Sequence, residues 1–151
     1  MPDQRYTVVP RTLCFIMRND EVLLLRGAPT KRLWANRLNG VGGHVEANES
    51  VHDAAVREME EETGLSVGNV RLRGILNLPS SPIQGTGSPH IGVLIFIFTA
   101  EVAGGALTPS SEGTLAWYPQ RAIVEGTLPD LMDDLQALLP RALAAAEPFC
   151  S

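Results

Sequence analysis

The sequence predicts an α/β/α sandwich, in which a mixed β-sheet lies between helices. Three features of the 151-residue chain lead to this fold class. Several segments of strand length are rich in apolar and β-branched residues, one helix is indicated in the middle of the chain, and another near its end. Strand and helix patterns do not alternate regularly, which argues against a doubly wound parallel sheet.

Two strands joined by a turn are indicated first. Residues 6–17 are rich in apolar and β-branched side chains, and residues 21–25 follow after the turn-forming residues 18–20. This spacing predicts a β-hairpin. Residues 26–38 are basic and have neither strand nor helix periodicity, so they are predicted to form a loop.

The central helix is predicted over Val51–Thr63 by the residues at its two ends. Ser50 followed by Asp53 is a capping-box pattern, in which each side chain bonds to the backbone of the other. Gly64 adopts the left-handed backbone of a helix stop without steric cost. Both termini of the helix are therefore fixed by local chemistry.

Three further strands are predicted after this helix. They cover residues 70–78, 91–102 and 114–118. The second contains the nearly continuous apolar run 93–98, which is typical of a strand buried on both faces. Residues 79–89 are rich in Pro, Gly and Ser and are predicted to form a loop.

A helix over residues 129–145 is the last predicted element. Leucines recur in it at helical spacing, and Pro140 is expected to kink it or to split it in two.

Length and composition indicate one domain over residues 1–151, large enough for a real apolar core. Apolar residues make up 44% of the chain, which excludes a disordered protein. No apolar run reaches the roughly 18 residues of a membrane span, and the first residues lack the apolar stretch of a signal peptide. A cytoplasmic protein without a membrane partner is therefore expected. Two cysteines are too few for a disulfide framework.

Acidic residues are concentrated in one short window. Residues 43–65 contain seven acidic side chains and one arginine, a charge of about −6, whereas the rest of the chain sums to about +1. Glu58, Glu61 and Glu62 have the spacing that places side chains on one side of a helix. Such oxygen ligands suit a hard divalent cation, Mg²⁺ first and Mn²⁺ second. A solvated acidic helix face gives the same pattern.

The acidic window also fits a longer motif. It matches Gly-x5-Glu-x7-Arg-Glu-U-x-Glu-Glu-x-Gly-U, where U is an aliphatic or bulky apolar residue. The nine specified positions are occupied by Gly43, Glu49, Arg57, Glu58, Met59, Glu61, Glu62, Gly64 and Leu65. This segment resembles the Nudix box, the signature of hydrolases that cleave nucleoside diphosphates linked to another moiety. The resemblance also implies the Nudix fold, an α/β/α sandwich with a mixed sheet.

The resemblance implies a role for each acidic position. The implied metal ligands are the carbonyl oxygen of Gly42 and the carboxylates of Glu58, Glu61 and Glu62. Arg57 would orient a catalytic carboxylate, and Glu49 would support that network. The general base would be Glu58 or Glu61. Glu112, on a later loop, is a further candidate as base or ligand, although a surface acid fits it equally well.

Base and phosphate recognition are implied more weakly. Asn39 resembles the asparagine that contacts the base in the branch that hydrolyses oxidised purine nucleotides, although Asn-Gly is also a common turn. Asp133 and Asp134 lie in a segment that resembles a second base-binding region, but Met132 stands where a tryptophan is expected; either aspartate could instead cap a helix. Arg26 is a candidate phosphate contact or an ordinary surface charge.

These observations predict a Mg²⁺-dependent pyrophosphohydrolase of a small-molecule nucleotide. The leading hypothesis is a MutT-like enzyme that converts a nucleoside triphosphate, oxidised or not, such as 8-oxo-dGTP, to the monophosphate and pyrophosphate. Two alternatives stay open: hydrolysis of ADP-ribose or a nucleotide sugar, and a non-catalytic nucleotide sensor. No nucleic acid polymer is expected as a partner, and a homodimer is implied by the resemblance alone.

Overall fold

The computed structural model describes residues 5–31, 34–79, 90–144 and 147–151. In these residues one sheet is built from β1 (Thr7–Arg18), β2 (Glu21–Gly27), β3 (Leu38–Asn39), β4 (Leu65–Leu78), β5 (Ile91–Gly105), β6 (Gly113–Pro119) and β7 (Phe149–Cys150). The helices are α1 (Val51–Thr63), α2 (Gln120–Val124) and α3 (Asp133–Ala144).

The sheet is mixed, as predicted. Its strand order is β3-β2-β1-β5-β4-β7, and β6 pairs with β2 beside this path. The central strands β1 and β5 run parallel from the Thr7–Ile91 pair to the Met17–Glu101 pair. The β1–β2, β2–β3, β2–β6 and β4–β5 pairs are antiparallel, whereas β4 and β7 are parallel.

Helices cover both faces of the sheet, which confirms the sandwich. On one face α1 buries Ala55 and Met59 in an apolar cluster with side chains of β1, β2 and β5. On the other face α3 buries Leu135 and Leu139, and α2 adds Ile123 to the same cluster. A fully buried leucine or methionine contributes about 1.5–3 kcal/mol, so these contacts hold both helices against the sheet.

The ends of α1 lie where the sequence places them. The Ser50 hydroxyl oxygen accepts a hydrogen bond from the Asp53 amide at 3.0 Å. Gly64 has a φ of 79°, and its amide donates to the Glu60 carbonyl oxygen at 3.0 Å. The chain turns directly from this glycine into β4, which therefore begins at Leu65, earlier than the expected residue 70.

The last helix begins at Asp133, not at residue 129. The preceding backbone is held by β3 instead: the Leu38 amide donates to Asp130 at 2.8 Å, and the Met132 amide donates to the Leu38 carbonyl at 3.0 Å. Pro140 stays inside α3, which is not split.

Three short elements, β3, α2 and β7, were not predicted because they have too few residues for a periodic pattern. β5 extends to Gly105, beyond the expected residue 102. The predicted loop lies almost entirely outside the described residues, which resume at residue 90. Among the described helices, none has the length and apolar character to cross a membrane.

Candidate active site

The glycine-containing segment of residues 40–43, which precedes α1 in the sequence, packs its backbone against β1. The Thr12 amide donates to the Gly43 carbonyl oxygen at 2.8 Å. A Cβ on Gly42 would collide with the Thr12 carbonyl oxygen, and a Cβ on Gly43 would lie 2.6 Å from Glu58 Oε1. Glycine is therefore needed at residue 42, where the clash is with backbone, whereas a Cβ at residue 43 would displace the Glu58 carboxylate from the space that it occupies.

Arg57 is the centre of a hydrogen-bond network. Its Nη2 and Nε donate to the two carboxylate oxygens of Glu49 at 2.6 and 3.0 Å. Its Nη1 donates to Glu58 Oε1 at 2.8 Å and, more weakly, to Glu61 Oε2 at 3.4 Å. A fifth hydrogen bond, from Nη2, reaches the His44 carbonyl oxygen at 3.2 Å. The bidentate bond holds the pKa of Glu49 well below its usual value, at about 2.

The Glu62 side chain on α1 is partly buried. Its Oε2 accepts a hydrogen bond from the Gly42 amide at 2.9 Å. Burial raises the pKa of its carboxyl to about 7, the Gly42 hydrogen bond opposes this rise, and the nearby charge of Glu58 adds to it. The site therefore holds one carboxylate whose ionisation is costly unless a cation is near.

Two adjoining cavities lie beside Glu62. The smaller, of about 340 Å³, is called the apolar pocket below; its wall combines aliphatic side chains of the sheet and α3 with Trp34 and with several polar and charged side chains. The larger, of about 680 Å³, is lined by the glutamates Glu46, Glu58, Glu61, Glu62 and Glu112. Four residues line both cavities: Arg11, Gly42, Glu62 and Glu112. An apolar pocket thus borders an acidic chamber.

The oxygen donors of the chamber suit a hard divalent cation in kind, but they are not gathered around one point. In the described part of the chain, no three His, Cys, Asp or Glu groups are close enough to hold a metal ion as they stand. Glu58 and Glu61 accept hydrogen bonds from Arg57, and Glu62 accepts one from Gly42. Because a cation would offset the mutual repulsion of these carboxylates, the donor set suits a divalent metal ion by its chemistry and not by its present arrangement.

The sequence profile of the NUDIX domain matches residues 8–141. The chain belongs to the Nudix family. Its Nudix box occupies residues 43–65, and three of the box glutamates, Glu58, Glu61 and Glu62, lie on α1 and line the acidic chamber, whereas Glu49 precedes the helix.

Relatives and solved structures agree with this assignment. A Mus musculus protein named oxidized purine nucleoside triphosphate hydrolase is 34% identical over 107 residues, 71% of this chain and 64% of that protein. A Methanocaldococcus jannaschii protein named ADP-ribose pyrophosphatase is 39% identical over 77 residues, 51% of this chain and 42% of that protein. The crystal structure of a MutT protein from Bacillus halodurans matches with a TM-score of 0.74 at 28% identity, covering 93% of this chain and 86% of that one. The chain spans less than two thirds of each of the two sequence relatives.

Two of the residues expected to bind substrate line the smaller cavity of this Nudix domain. Asn39, on β3, and Asp134, in the first turn of α3, both contribute to its wall. Asn39 Oδ1 accepts a hydrogen bond from the Gly40 amide at 2.8 Å, which leaves its amide nitrogen as the free donor. Met132, in place of the expected tryptophan, lines the same cavity.

Arg26 and Asp133 lie outside the lining of both cavities. Arg26 Nη1 donates to Asp130 at 2.9 Å, and Arg37 Nη2 donates to Asp133 at 2.9 Å. The first pair joins β2 to the segment before α3, and the second joins the loop before β3 to the first residue of α3. In the structure Arg26 and Asp133 thus make ion pairs away from the cavities, and their contact with substrate stays a prediction.

Glu112 lines both cavities but is engaged by Lys31, with which it forms an ion pair. The Ala28 amide also donates to the Glu112 carbonyl oxygen at 3.1 Å. The loop before β6 is thereby joined to the loop after β2. A role for Glu112 as base or metal ligand requires its carboxylate to leave Lys31.

Arg11 and the aliphatic wall were not identified from the sequence. A signal for Arg11 was available, because it is a lone charge inside the apolar strand β1. The wall combines β4, β5 and α3 with residues of β1 and β2, so it depends on tertiary packing that no local pattern encodes.

Proposed function

We propose that this protein is a Mg²⁺-dependent pyrophosphohydrolase of a purine nucleoside triphosphate, oxidised or not, releasing the nucleoside monophosphate and pyrophosphate. The observation that carries the proposal is the apolar pocket that borders the acidic chamber. The apolar pocket is chemically suited to a nucleoside, and the acidic chamber is chemically suited to a phosphate chain that carries a bound cation. The name of the mouse relative supports the same substrate class.

Glu58, Glu61 and Glu62 are proposed to hold Mg²⁺, with the Gly42 carbonyl oxygen as a further ligand and Mn²⁺ as a substitute ion. When bound, such an ion neutralises phosphate charge and lowers the pKa of a coordinated water. The glutamates themselves concentrate carboxyl groups at one edge of the chamber. Glu62 additionally stays hydrogen-bonded to the backbone at Gly42 until a cation competes for it.

The Arg57–Glu49 pair is proposed to position the catalytic carboxylates. Glu49 is fixed by two bonds from Arg57 and by the Glu46 amide at 2.9 Å, so the guanidinium has one rigid anchor. Its remaining Nη1 aligns Glu58 closely and Glu61 loosely. The Glu61 side chain is 62% exposed, compared with 17% for Glu58. This freedom favours Glu61 as the group that accepts the proton of the attacking water, with Glu58 as the alternative.

Asn39 and Asp134 are proposed to recognise the base. The hydrogen bond from the Gly40 amide to Asn39 Oδ1 orients the side-chain amide, whose nitrogen is proposed to donate to an acceptor on the purine edge. Asp134 offers acceptor oxygens at the same pocket. A purine presents both donors and acceptors, so the two side chains are complementary to it.

A second candidate function is hydrolysis of ADP-ribose. The relative from M. jannaschii, named for that activity, favours it. A non-catalytic nucleotide sensor is a third reading, and the complete set of box glutamates argues against it.

One substrate screen separates these functions. The protein is incubated with Mg²⁺ and dGTP, 8-oxo-dGTP, ADP-ribose or diadenosine polyphosphates, and the phosphate-containing products are identified. The proposal expects monophosphate and pyrophosphate from a purine triphosphate. Turnover of ADP-ribose alone supports the second candidate, and binding without any turnover supports the sensor.

A matched pair of variants tests the assigned chemistry. Glu61→Gln is expected to remove most turnover, since it deletes a carboxylate of the chamber. Glu60→Gln makes the same change one residue earlier, outside the lining of both cavities, and is expected to keep activity. Equal activity of the two variants contradicts the assignment.

A further inference from the structure

Arg11 differs from the other basic side chains around the two cavities. Arg26, Arg37 and Arg57 are paired with acidic side chains, and Lys31 is paired with Glu112. Among the contacts of the described residues, the exposed Arg11 side chain has no hydrogen bond or ion pair. Its guanidinium group is therefore available to a ligand.

The backbone fixes where this free guanidinium stands. Arg11 is within β1, where it pairs with Ile95 of β5 and forms an isolated bridge with His44. Residues on both sides are also held, since the Val45 amide donates to Pro10 at 3.1 Å and Thr12 bonds to Gly43. The side chain thus starts from one of the most restrained positions near the site.

Arg11 lines the apolar pocket and the acidic chamber together with Gly42, Glu62 and Glu112. In the described part of the chamber wall, it is the sole Lys or Arg facing five glutamates. An anionic group at this boundary meets carboxylates on the chamber side and needs a positive charge supplied by the protein. A guanidinium meets that need, because its planar fork donates two parallel bonds to a phosphate.

We propose that Arg11 binds the phosphate that remains attached to the nucleoside, at the boundary between the pocket and the chamber. This inference rests on the proposed function, because it assumes that a nucleoside enters the pocket. It assigns the protein a phosphate contact that does not depend on Mg²⁺. The expected consequence is that the monophosphate product binds more tightly than its nucleoside even when divalent ions are absent.

The test measures binding by calorimetry in EDTA, with dGMP against deoxyguanosine and AMP against adenosine as probes. The wild-type protein is expected to bind at least one monophosphate about 10–100-fold more tightly than its nucleoside, the contribution of a charge-assisted phosphate pair. Arg11→Gln is expected to bring this ratio close to one by weakening the binding of the monophosphate, and Arg11→Lys is expected to restore part of it.

Arg18→Gln is the matched control. Arg18 ends the same strand, carries the same charge, and lies outside the lining of both cavities. It should keep the wild-type ratio. Thermal unfolding of Arg11→Gln should be close to that of the wild type, since the Arg11 side chain has no hydrogen bond or ion pair to lose among the described residues and its charge is the smallest of the influences on the pKa of Glu62.

The outcomes separate this inference from the proposed hydrolysis. A wild-type protein that binds neither monophosphate more tightly than its nucleoside overturns the role of Arg11, even if triphosphates are hydrolysed. An unchanged ratio in Arg11→Gln overturns it as well. If the ratio of monophosphate to nucleoside affinity depends on Arg11 but no triphosphate is hydrolysed, the phosphate contact is supported and the proposed hydrolase activity is contradicted.

Discussion

Replacing Arg57 by lysine keeps a positive charge on α1 but removes the planar group that organises the carboxylates. The guanidinium now reaches five oxygen acceptors, of which three lie within 3.0 Å. An ammonium group is a compact donor on a flexible stem and cannot span both Glu49 oxygens and Glu58 at once. The variant should therefore keep the positive charge at position 57 but lose the alignment of the carboxylates that Arg57 now holds.

The size of the effect follows from the bonds that are lost. A hydrogen bond between charged groups contributes about 1.5–3 kcal/mol, and the Arg57 side chain is 27% exposed, so solvent reduces that value. If lysine retains one of the three short bonds, the free energy of unfolding should fall by about 1–3 kcal/mol. Loss of a contact that orients metal-site ligands typically lowers activity about 10–100-fold.

The assay combines urea unfolding in EDTA with steady-state hydrolysis in saturating Mg²⁺. Arg121→Lys is the control, because Arg121 is 81% exposed and makes a single 3.5 Å contact with Glu125. It should change stability by less than about 0.5 kcal/mol and leave kcat unchanged. An Arg57→Lys protein with the kcat of the wild type refutes the positioning role, whatever happens to its stability.

Three further outcomes are expected. Glu62→Gln should stabilise the metal-free protein above pH 7. Burial raises the pKa of Glu62 from 4.5 to about 7, so the wild type loses the stabilising effect of the bound proton as the pH rises through that value. The free energy of unfolding is measured with urea in EDTA, and an equal gain below pH 4.5 contradicts this explanation. Gly43→Ala places a carbon 2.6 Å from Glu58 Oε1 and should lower kcat about tenfold or more with little change in Tm, so unaltered kinetics count against the close approach. Iodoacetamide should label exposed Cys150 but not buried Cys14, whose pKa burial raises to about 12; two adducts by mass spectrometry on the folded protein would disprove this.

The local parts of the fold and site were predictable from the sequence. The bounds of α1 were correct because Ser50 and Gly64 act within one helical turn of their own positions. Glu58, Glu61 and Glu62 line one chamber because helical spacing alone brings such residues to one side. These features need no knowledge of the rest of the chain.

The parts set by long-range packing were not predictable. The start of α3 was misplaced because β3, almost a hundred residues earlier, holds the backbone at Asp130 and Met132. The pairing of Lys31 with Glu112 joins two loops that are far apart in the sequence. Neither residue carries a local signal for its partner, because charge attraction depends on where the loops meet in space.

The parallel pairing of β1 with β5 has a consequence for synthesis of the protein. Thr7 pairs with Ile91 and Met17 pairs with Glu101, so β1 cannot form this pairing before β5, in the second half of the chain, has been synthesised. Until residues up to Gly105 have emerged from the ribosome, β1 cannot pair with β5, and α1 cannot pack against a complete sheet. Nascent chains stalled before that length should be cleaved readily by proteases. Resistance to cleavage should appear abruptly, once β5 is available to pair.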